Sequence, residues 1–493
     1  MLVLSGATFA QYRKPFLEDH ALNPLISALP AHIEPGRFKN LMTVTPRVIE
    51  LENSSNNDRV SVVKRLSNTV VPTKPYLDFY NEIYGMIVSG YEKRNPLVPS
   101  SVRWSYDVAD PNVTFEELHK RKAISTQGCE TTADHLFLTG HSGMGKTKMK
   151  NAVLSGCFPS CIIHQRPDFD EAQIVYLSIE MPPNGAQIPL LINIIDAIDE
   201  TLKGIEDTNY TSTIRRPTVG GLVAQASNLC QQYHVGILFI DEFQNLNVVD
   251  QKKYRDTIQL FSSLSNVLSL PVVKIGTHEA INKLLPYFKD RRRAGDLIDI
   301  QPYIKSATSS GFEGKDWEAL FNAVITYQVV NKKASVSQKL EDRLYYLSCG
   351  IPYVLFRLWQ KVQIEAILSG KDTINLSLID AAYNKYFKLI HTALAALRNN
   401  RPGKVKDLIN VSRLFDDQQP SQALVHLQKM VNKDEFTGVA ATELNKAIDD
   451  VEFNNALSKK DKSKLANIKK RLSQNSHKPP SGQSIDHDPK GSE

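Results

Sequence analysis

One segment, HLFLTGHSGMGKT at residues 135–147, carries the strongest structural signal in this sequence. Its first half is apolar and predicts a buried strand, and its second half fits the pattern G-x-x-x-x-G-K-T at the start of a helix. In such a loop the glycines allow successive backbone N–H groups to point inward at phosphate oxygens. We therefore predict a nucleotide-binding loop made by Gly140, Ser142, Gly143, Met144, Gly145, Lys146 and Thr147.

A second segment, GILFIDE at residues 236–242, places two adjacent carboxylates at the end of an apolar run. Such a pair alone can be a solvated turn, but downstream of a phosphate-binding loop it favours ATP hydrolysis. We expect Lys146 to contact the β- and γ-phosphates, and Thr147 and Asp241 to hold Mg²⁺. Glu242 is then the group that polarises the attacking water. The sequence therefore predicts a Mg²⁺-dependent ATPase.

Two features after the next apolar run, PVVKIG at 271–276, complete the predicted catalytic set. Thr277 stands at the tip of this predicted strand and can position the water, although it also suits a helix N-cap. The basic cluster KDRRR at 289–293 follows one short predicted helix later. Such a cluster is usually solvated, but its place favours an arginine that reaches the γ-phosphate of a neighbouring subunit. We predict Arg292 in this role, with Arg291 as the next candidate, and therefore an oligomer.

The composition is that of a globular protein, with 42% hydrophobic residues in a chain of 493. That length suggests about three structural units. Lys and Arg total 59 against 53 Asp and Glu, and the net charge of +6 permits a nucleic-acid partner without requiring one. Five cysteines are too few, and odd in number, for a disulfide framework. Since no apolar run approaches the roughly 20 residues of a membrane span and no basic leader precedes the first apolar residues, we expect a cytoplasmic protein.

Short apolar runs alternate with amphipathic stretches between residues 135 and about 300, which predicts an α/β fold with a parallel sheet. The runs are HLFLTG at 135–140, IVYLSI at 174–179, VGILFID at 235–241 and PVVKIG at 271–276. From about 313 to 400 the apolar residues recur at spacings of three and four, which predicts helices. Gly350 and Gly370 are the predicted ends of two of these helices.

The predicted division of the chain follows these changes in pattern. An irregular N-terminal segment precedes the α/β region, and the last part of the sequence is basic and then rich in Pro, Ser and Gly. The predicted units are an N-terminal arm at 1–75, an α/β nucleotide-binding domain at 76–305, a helical lid at 306–400, a helical extension at 401–457 and a basic disordered tail at 458–493.

The motifs GHSGMGKT, ILFIDEFQNL, PVVKIGTHEA and RRRAG together resemble TnsC, a family of AAA+ regulators from Tns-type cut-and-paste bacterial transposons that is related to TniB. The first two motifs specify only an ATPase, and similarity in flanking segments points to the family. These segments are NPLISALP at 23–30, GYEKRNP at 90–96, SCGI at 348–351 and residues 391–398. The resemblance covers about residues 20–400.

This resemblance implies a P-loop AAA+ ATPase with a central parallel sheet and a helical lid. It also implies that ATP and Mg²⁺ control the assembly of rings or helical filaments on double-stranded DNA, without strong sequence preference. The N-terminal arm would contact a target-selection protein, either TnsD-like or a CRISPR-linked adaptor. The tail would contact the transposase subunits TnsA and TnsB, and the protein would be associated with the bacterial nucleoid.

The residues themselves allow DNA binding, and they leave two other functions open. Arg215, Arg216, Lys252 and Lys253 are basic candidates for phosphate contacts, as are the lysines of the tail, although each also suits a solvated surface. One alternative is another AAA+ DNA machine, such as an initiator-like ATPase or a helicase loader. The other is a nucleotide-gated scaffold in which ATP binding alone acts and hydrolysis is incidental.

Overall fold

The computed structural model describes residues 6–15, 17–47, 54–110, 113–114, 117–118, 120–121, 134–248, 251–278, 280, 296–305 and 315–398. These residues lie within one unit, Met1–Val411. Some of the sequence predictions fall outside the described residues. They are the basic cluster at 289–293 with Arg291 and Arg292, the extension at 401–457, the tail at 458–493, and the side chain of Lys252.

Strands and helices alternate through the middle of the described chain, and helices dominate on either side. The strands are β1 (Ala7–Phe9), β2 (His135–Gly140), β3 (Cys161–Ile163), β4 (Ala172–Ile174), β5 (Tyr176–Glu180), β6 (Ile237–Asp241), β7 (Val272–Ile275) and β8 (Asp296–Ile300). The α-helices are α1 (Glu18–Ala21), α2 (Pro24–Ser27), α3 (Pro35–Met42), α4 (Asn56–Lys64), α5 (Lys74–Glu92), α6 (Pro99–Ala109), α7 (Lys146–Cys157), α8 (Gln187–Leu202), α9 (Val219–Gln232), α10 (Gln251–Leu268), α11 (Lys315–Ile325), α12 (Gln338–Ser348), α13 (Pro352–Leu368), α14 (Leu376–Tyr386) and α15 (His391–Arg398). Short 3₁₀ helices cover Arg65–Asn68, Thr211–Thr213, Phe243–Val248 and Lys388–Ile390.

A parallel sheet lies at the centre of the fold formed by the described residues. Among the described residues it contains five strands in the order β5–β6–β7–β2–β8. β2, which leads into the phosphate-binding loop, lies between β7 and β8, so that Leu138 is opposite Ile275 on one side and Ile298 on the other. Three of the four predicted apolar runs correspond to β2, β6 and β7, and the predicted parallel α/β sheet is confirmed.

The fourth run, at 174–179, is divided between two sheets. Ile174 ends β4, which pairs antiparallel with β3 in a small sheet of order β1–β3–β4. β5 begins two residues later, at Tyr176, and pairs parallel with β6 in the central sheet. The predicted parallel strand is therefore confirmed for residues 176–179, but its start at residue 174 is wrong, because an apolar run does not show where one strand ends and the next begins.

Both faces of the inner strands β2, β6 and β7 are buried, and the apolar residues of β2 and β6 alternate between two hydrophobic clusters. Leu136 and Leu138 belong to the cluster that also contains residues of α5, α7 and the lid. Phe137, between them, belongs to the cluster formed with α8, α9 and α10. The result is a three-layer α/β/α arrangement, and such folds bind ligands at the carboxyl ends of the strands.

The predicted N-terminal arm contributes helices to the first of these clusters. Leu25, Phe38 and Val63 are buried in it together with residues of α5 and the lid. Asn23 Nδ2 donates to the carbonyl oxygen of Tyr91 at 2.8 Å, and it is an N-cap for α2. These residues therefore pack in the same hydrophobic core as the central sheet, while the proposed domain boundary at 75 stays a prediction.

Helices α11 to α15 form the region predicted as a lid. Gly350 and Gly370 follow α12 and α13 with φ of +73° and +69°, and both predicted helix ends are confirmed. At Gly350 a Cβ would lie 2.1 Å from the carbonyl oxygen of Tyr303, so the close approach of these two backbones requires glycine. Within the ranges described above, none of the helices has the length and apolar character needed to cross a membrane.

Candidate nucleotide-binding site

The predicted phosphate-binding residues come together in a single loop between β2 and α7. Gly140 ends β2, and a Cβ at this residue would lie 2.6 Å from the carbonyl oxygen of Ile300 in the neighbouring β8. Gly143 and Gly145 have φ of +85° and +84°, in the left-handed region that other residues rarely adopt. Met144 is buried beneath the loop, while Ser142 and Thr147 are exposed. The motif therefore forms the strand–loop–helix structure that phosphate binding requires.

Lys146 is the first residue of α7, and its side chain turns back over the loop. Its Nζ donates hydrogen bonds to the carbonyl oxygens of Gly140 at 2.8 Å and His141 at 3.1 Å. Burial lowers the pKa of Lys146, and the nearby carboxylates of Asp241, Glu242 and Asp299 act in the opposite direction. A cation held by two neutral carbonyl groups can exchange them for phosphate oxygens, which would bind it more strongly.

Asp241 lies at the carboxyl end of β6 and is almost completely buried. Its Oδ1 accepts a hydrogen bond of 2.9 Å from the backbone N–H of Glu242, and its Oδ2 accepts one of 3.1 Å from Lys150 Nζ. Carboxylate and hydroxyl oxygens are ligands that Mg²⁺ prefers. The donor set of Asp241 and the exposed Thr147 hydroxyl, beside a loop suited to phosphates, therefore fits a Mg²⁺ ion.

Glu242 follows β6 in a left-handed conformation, with φ of +54°. Its carboxylate accepts a hydrogen bond from the side-chain amide of Gln244, whose Oε1 in turn accepts one of 3.3 Å from the backbone N–H of Thr277. One amide side chain thus connects the end of β6 to the end of β7. A non-glycine residue with positive φ is uncommon and is often found at functional sites.

Thr277 lies just beyond β7, at the same end of the sheet as Asp241. Its Oγ1 is buried and has no hydrogen-bond partner among the described residues. A buried hydroxyl of this kind is suited to bind a water or a phosphate oxygen. The alternative prediction, that Thr277 is a helix N-cap, concerns the residues after it, most of which lie outside the described part of the chain.

Two histidines and an aspartate connect the phosphate loop to the neighbouring strands. The rings of His141 and His278 meet edge to face, with centroids 4.9 Å apart. His278 Nε2 hydrogen-bonds Asp299 Oδ1 at 2.7 Å. Burial acts to raise the pKa of Asp299, but the hydrogen bond and charge of His278, the hydrogen bond from Gln301 and the charge of His141 together outweigh it, and the pKa lies below its ordinary value. The phosphate loop therefore contacts His278, which follows β7, and is connected through it to Asp299 in β8.

The lid also contacts the loop directly. The backbone N–H of Tyr353, in the first turn of α13, donates to the carbonyl oxygen of Gly143 at 3.1 Å. A Cβ at Gly143 would lie 3.1 Å from both Ile351 and Tyr353. A change in the position of α13 would therefore act on the loop through these contacts.

Sequence reasoning missed Lys150, Gln244 and the pair His141 and His278. Lys150 stands four residues after Lys146, on the same face of α7, and this spacing was an available signal. Gln244 lies two residues after Glu242 in an irregular segment, where no periodicity predicts its direction. Of the proposed DNA contacts, Arg215, Arg216 and Lys253 are exposed, and their role stays a prediction.

The strand order, the phosphate loop and the carboxylates at the end of β6 define a P-loop ATPase fold of the AAA+ type. A family model described as the bacterial TniB protein matches residues 116–286, a range that contains Lys146, Asp241, Glu242 and Thr277. No curated protein matches the chain.

Solved structures of three archaeal and bacterial proteins show similarity. The Walker-type ATPase of Pyrococcus abyssi is 13% identical, with a TM-score of 0.37 over 74% of this chain and 93% of that chain. The Aeropyrum pernix ORC2 protein is 11% identical, with a TM-score of 0.35 over 74% and 89% of the two chains. The RuvB Holliday junction branch migration motor of Thermotoga maritima is 14% identical, with a TM-score of 0.29 over 68% and 81%.

Proposed function

We propose that this protein binds ATP with Mg²⁺ and hydrolyses it. The observation that supports the proposal is the convergence of Lys146, Asp241, Glu242 and Thr277 at one end of the central sheet. Lys146 interacts electrostatically with both Asp241 and Glu242, and Glu242 is connected to Thr277 through Gln244. A cation, two carboxylates and a buried hydroxyl around a glycine loop are the groups that phosphoryl transfer to water uses.

The roles of the residues follow from their positions. Backbone N–H groups of the loop and Lys146 would bind the phosphates, and Asp241 with Thr147 would hold Mg²⁺. Bound Mg²⁺ would neutralise charge on the β- and γ-phosphate oxygens. Glu242 would accept a proton from the attacking water, with Gln244 restricting the direction of its carboxylate. Thr277 Oγ1 would bind the same water or a γ-phosphate oxygen.

We further propose that hydrolysis controls the assembly of this protein on double-stranded DNA and that the assembly links a target-selection protein to a transposase. The TniB family match over residues 116–286 supports this proposal, as do the sequence similarities to TnsC outside that range. In the oligomer, Arg292 or Arg291 would act on the γ-phosphate of the adjacent subunit. Transposase subunits of the TnsA and TnsB type are the proposed partners of the tail.

The substitution Lys146→Ala tests the ATPase and the assembly together. We expect it to reduce ATP affinity and turnover roughly 100-fold or more, because the charge that meets the phosphates is lost. ATP binding and phosphate release are measured directly, and assembly is observed by electron microscopy with duplex DNA and a non-hydrolysable ATP analogue. Lys339→Ala, at an exposed lysine in α12, is the matched control.

The outcomes separate the two parts of the proposal. If Lys146→Ala assembles on DNA as the wild type does, ATP-controlled assembly is contradicted. If the wild type hydrolyses ATP but forms no DNA-bound oligomer, the ATPase proposal stands and the regulator proposal fails. If the wild type releases no phosphate with Mg²⁺ present, the proposed activity itself is wrong.

A further inference from the structure

Lys150 is a buried cation in direct contact with a proposed Mg²⁺ ligand. It lies one turn after Lys146 in α7, and its side chain is only 6% exposed. Its Nζ donates to Asp241 Oδ2 at 3.1 Å and to Ser178 Oγ, in β5, at 2.9 Å. Three elements, α7, β5 and β6, therefore converge on one ammonium group below the phosphate loop.

This contact determines how Asp241 presents its carboxylate. A buried carboxylate and a buried ammonium group are each costly alone, so the two groups are held together. With Oδ1 bonded to the N–H of Glu242 and Oδ2 bonded to Lys150, the orientation of the Asp241 side chain is set from two sides. Each carboxylate oxygen can accept a second bond, so Asp241 can still accept one from a metal-bound water.

The contact also changes the charge that a metal ion would meet. A lone buried carboxylate attracts a divalent cation strongly, because the local dielectric constant is low. Lys150 cancels most of that charge at a separation of 3.1 Å. Asp241 therefore offers a fixed set of oxygen ligands with little net negative charge.

We propose that Lys150 is a positioning residue that fixes Asp241 and suppresses metal binding until nucleotide phosphates supply the missing negative charge. The proposal rests on the function proposed above, since it concerns the Mg²⁺ site of the same centre. Its consequence is that metal and nucleotide bind together rather than separately. Metal held tightly by the empty enzyme would occupy the phosphate site before the substrate arrives.

The test measures the binding of Mn²⁺, a paramagnetic substitute for Mg²⁺, to the nucleotide-free protein by electron paramagnetic resonance. Lys150→Gln removes the charge and keeps a hydrogen-bond donor, whereas Lys150→Met removes both. We expect both variants to bind Mn²⁺ roughly fivefold more tightly or better than the wild type, because a nearby repulsive charge is gone. Ser178→Ala, which keeps Lys150 beside Asp241, is the control and should stay within about twofold of the wild type.

A second comparison tests whether Asp241 is the metal ligand, and whether Lys150 acts by orienting Asp241 or only by filling space. Adding Asp241→Asn to Lys150→Gln should abolish the gain in Mn²⁺ affinity, because the carboxylate is then neutral. The rate of ATP hydrolysis should be higher for Lys150→Gln than for Lys150→Met, because the Gln side chain can still donate a hydrogen bond to Asp241. Thermal unfolding, followed by circular dichroism, establishes that each variant is folded.

Three results would overturn the proposal. The first is unchanged or weaker Mn²⁺ binding in folded Lys150→Gln and Lys150→Met. The second is a gain that survives Asp241→Asn, and the third is failure of both Lys150 variants to fold, which would make the pair a structural requirement. If the wild type does not hydrolyse ATP, the proposed function is contradicted. The Mn²⁺ affinities of the nucleotide-free proteins would still test the role of Lys150, because they do not depend on hydrolysis.

Discussion

At the carboxyl end of the central sheet Lys150 and Asp241 form a buried ion pair, whereas elsewhere in the same sheet two basic groups, His135 and Lys274, lie together. The first pair is separated by 3.1 Å and the second, between His135 Nδ1 and Lys274 Nζ, by 3.4 Å. Burial lowers the pKa of Lys274 to about 7, and burial together with the charge of Lys274 lowers the pKa of His135 to about 2. Buried ionisable groups in the two places therefore differ in their neighbours: an opposite charge in the first and another basic group in the second.

The difference follows from the sign of the neighbouring group. An opposite charge compensates the lost hydration, so a buried pair can remain ionised and take part in phosphate and metal chemistry. Neighbouring basic groups cannot compensate each other, so burial favours their neutral forms. We therefore expect changes at Glu242 and Gln244, next to Asp241, to alter activity more than stability, and changes at Lys274 to do the reverse.

The largest expected effect is that of Glu242→Gln at the carboxyl end. Loss of the general base should lower the rate of ATP hydrolysis by roughly 10²- to 10⁴-fold, while ATP binding through Lys146 is retained. Rates of phosphate release and the affinity for a fluorescent ATP analogue measure the two quantities. A variant that hydrolyses ATP within a few-fold of the wild type would remove Glu242 from the proposed chemistry.

A smaller effect is expected from Gln244→Ala. This change removes the connection between Glu242 and Thr277, and we expect a roughly tenfold lower turnover number because the base is less well oriented. Asn245→Ala is the matched control, since the Asn245 side chain donates to the carbonyl oxygen of Met181 at 3.0 Å and not to Glu242. Equal turnover numbers in the two variants would show that Gln244 has no role in orienting the base.

The smallest effect on activity is expected from Lys274→Met, which should instead change the pH dependence of stability. Between pH 7 and about 10.4 the unfolded chain carries a proton on Lys274 that the folded protein lacks. The free energy of unfolding therefore rises with pH in that window, by up to about 1.4 kcal/mol per pH unit. It falls again as the pH is lowered toward 7, because the unfolded chain binds a proton that the folded protein does not.

Lys274→Met should remove this slope, because the substituted residue does not titrate. Urea unfolding of the wild type and the variant at pH 7, 8 and 9 gives the difference in slope, and the ATPase rate should stay within about twofold. Identical slopes would mean that Lys274 is protonated in the folded protein. Burial beside another basic group would then not have made Lys274 neutral, and the proposed difference between the two pairs would be wrong.

Local patterns were sufficient to predict the phosphate loop, the strands β2, β6 and β7, and the helix ends at Gly350 and Gly370. In each case neighbouring residues carry the information, as apolar runs, glycines in a turn, or spacings of three and four. β8 was not predicted because its sequence, DLIDI, has two aspartates among three apolar residues, as suits the mostly exposed edge strand that it forms in the described sheet. The start of the run at 174–179 was misread because β4 and β5 are separated by a single residue, the buried Val175, so that the apolar run continues across the boundary.

The sequence by itself determined the chemical groups of this protein: a glycine loop with Lys146 and Thr147, and a strand that ends in Asp241 and Glu242. Only the tertiary structure decided which partners those groups have, since Lys150, Ser178 and Asp241 come from three separate elements. The order of strands in a sheet depends on packing across the whole domain, whereas the character of one strand depends on its own residues. For this reason the site could be located from its motifs, but the cation that neutralises Asp241 and the amide that connects Glu242 to Thr277 could not.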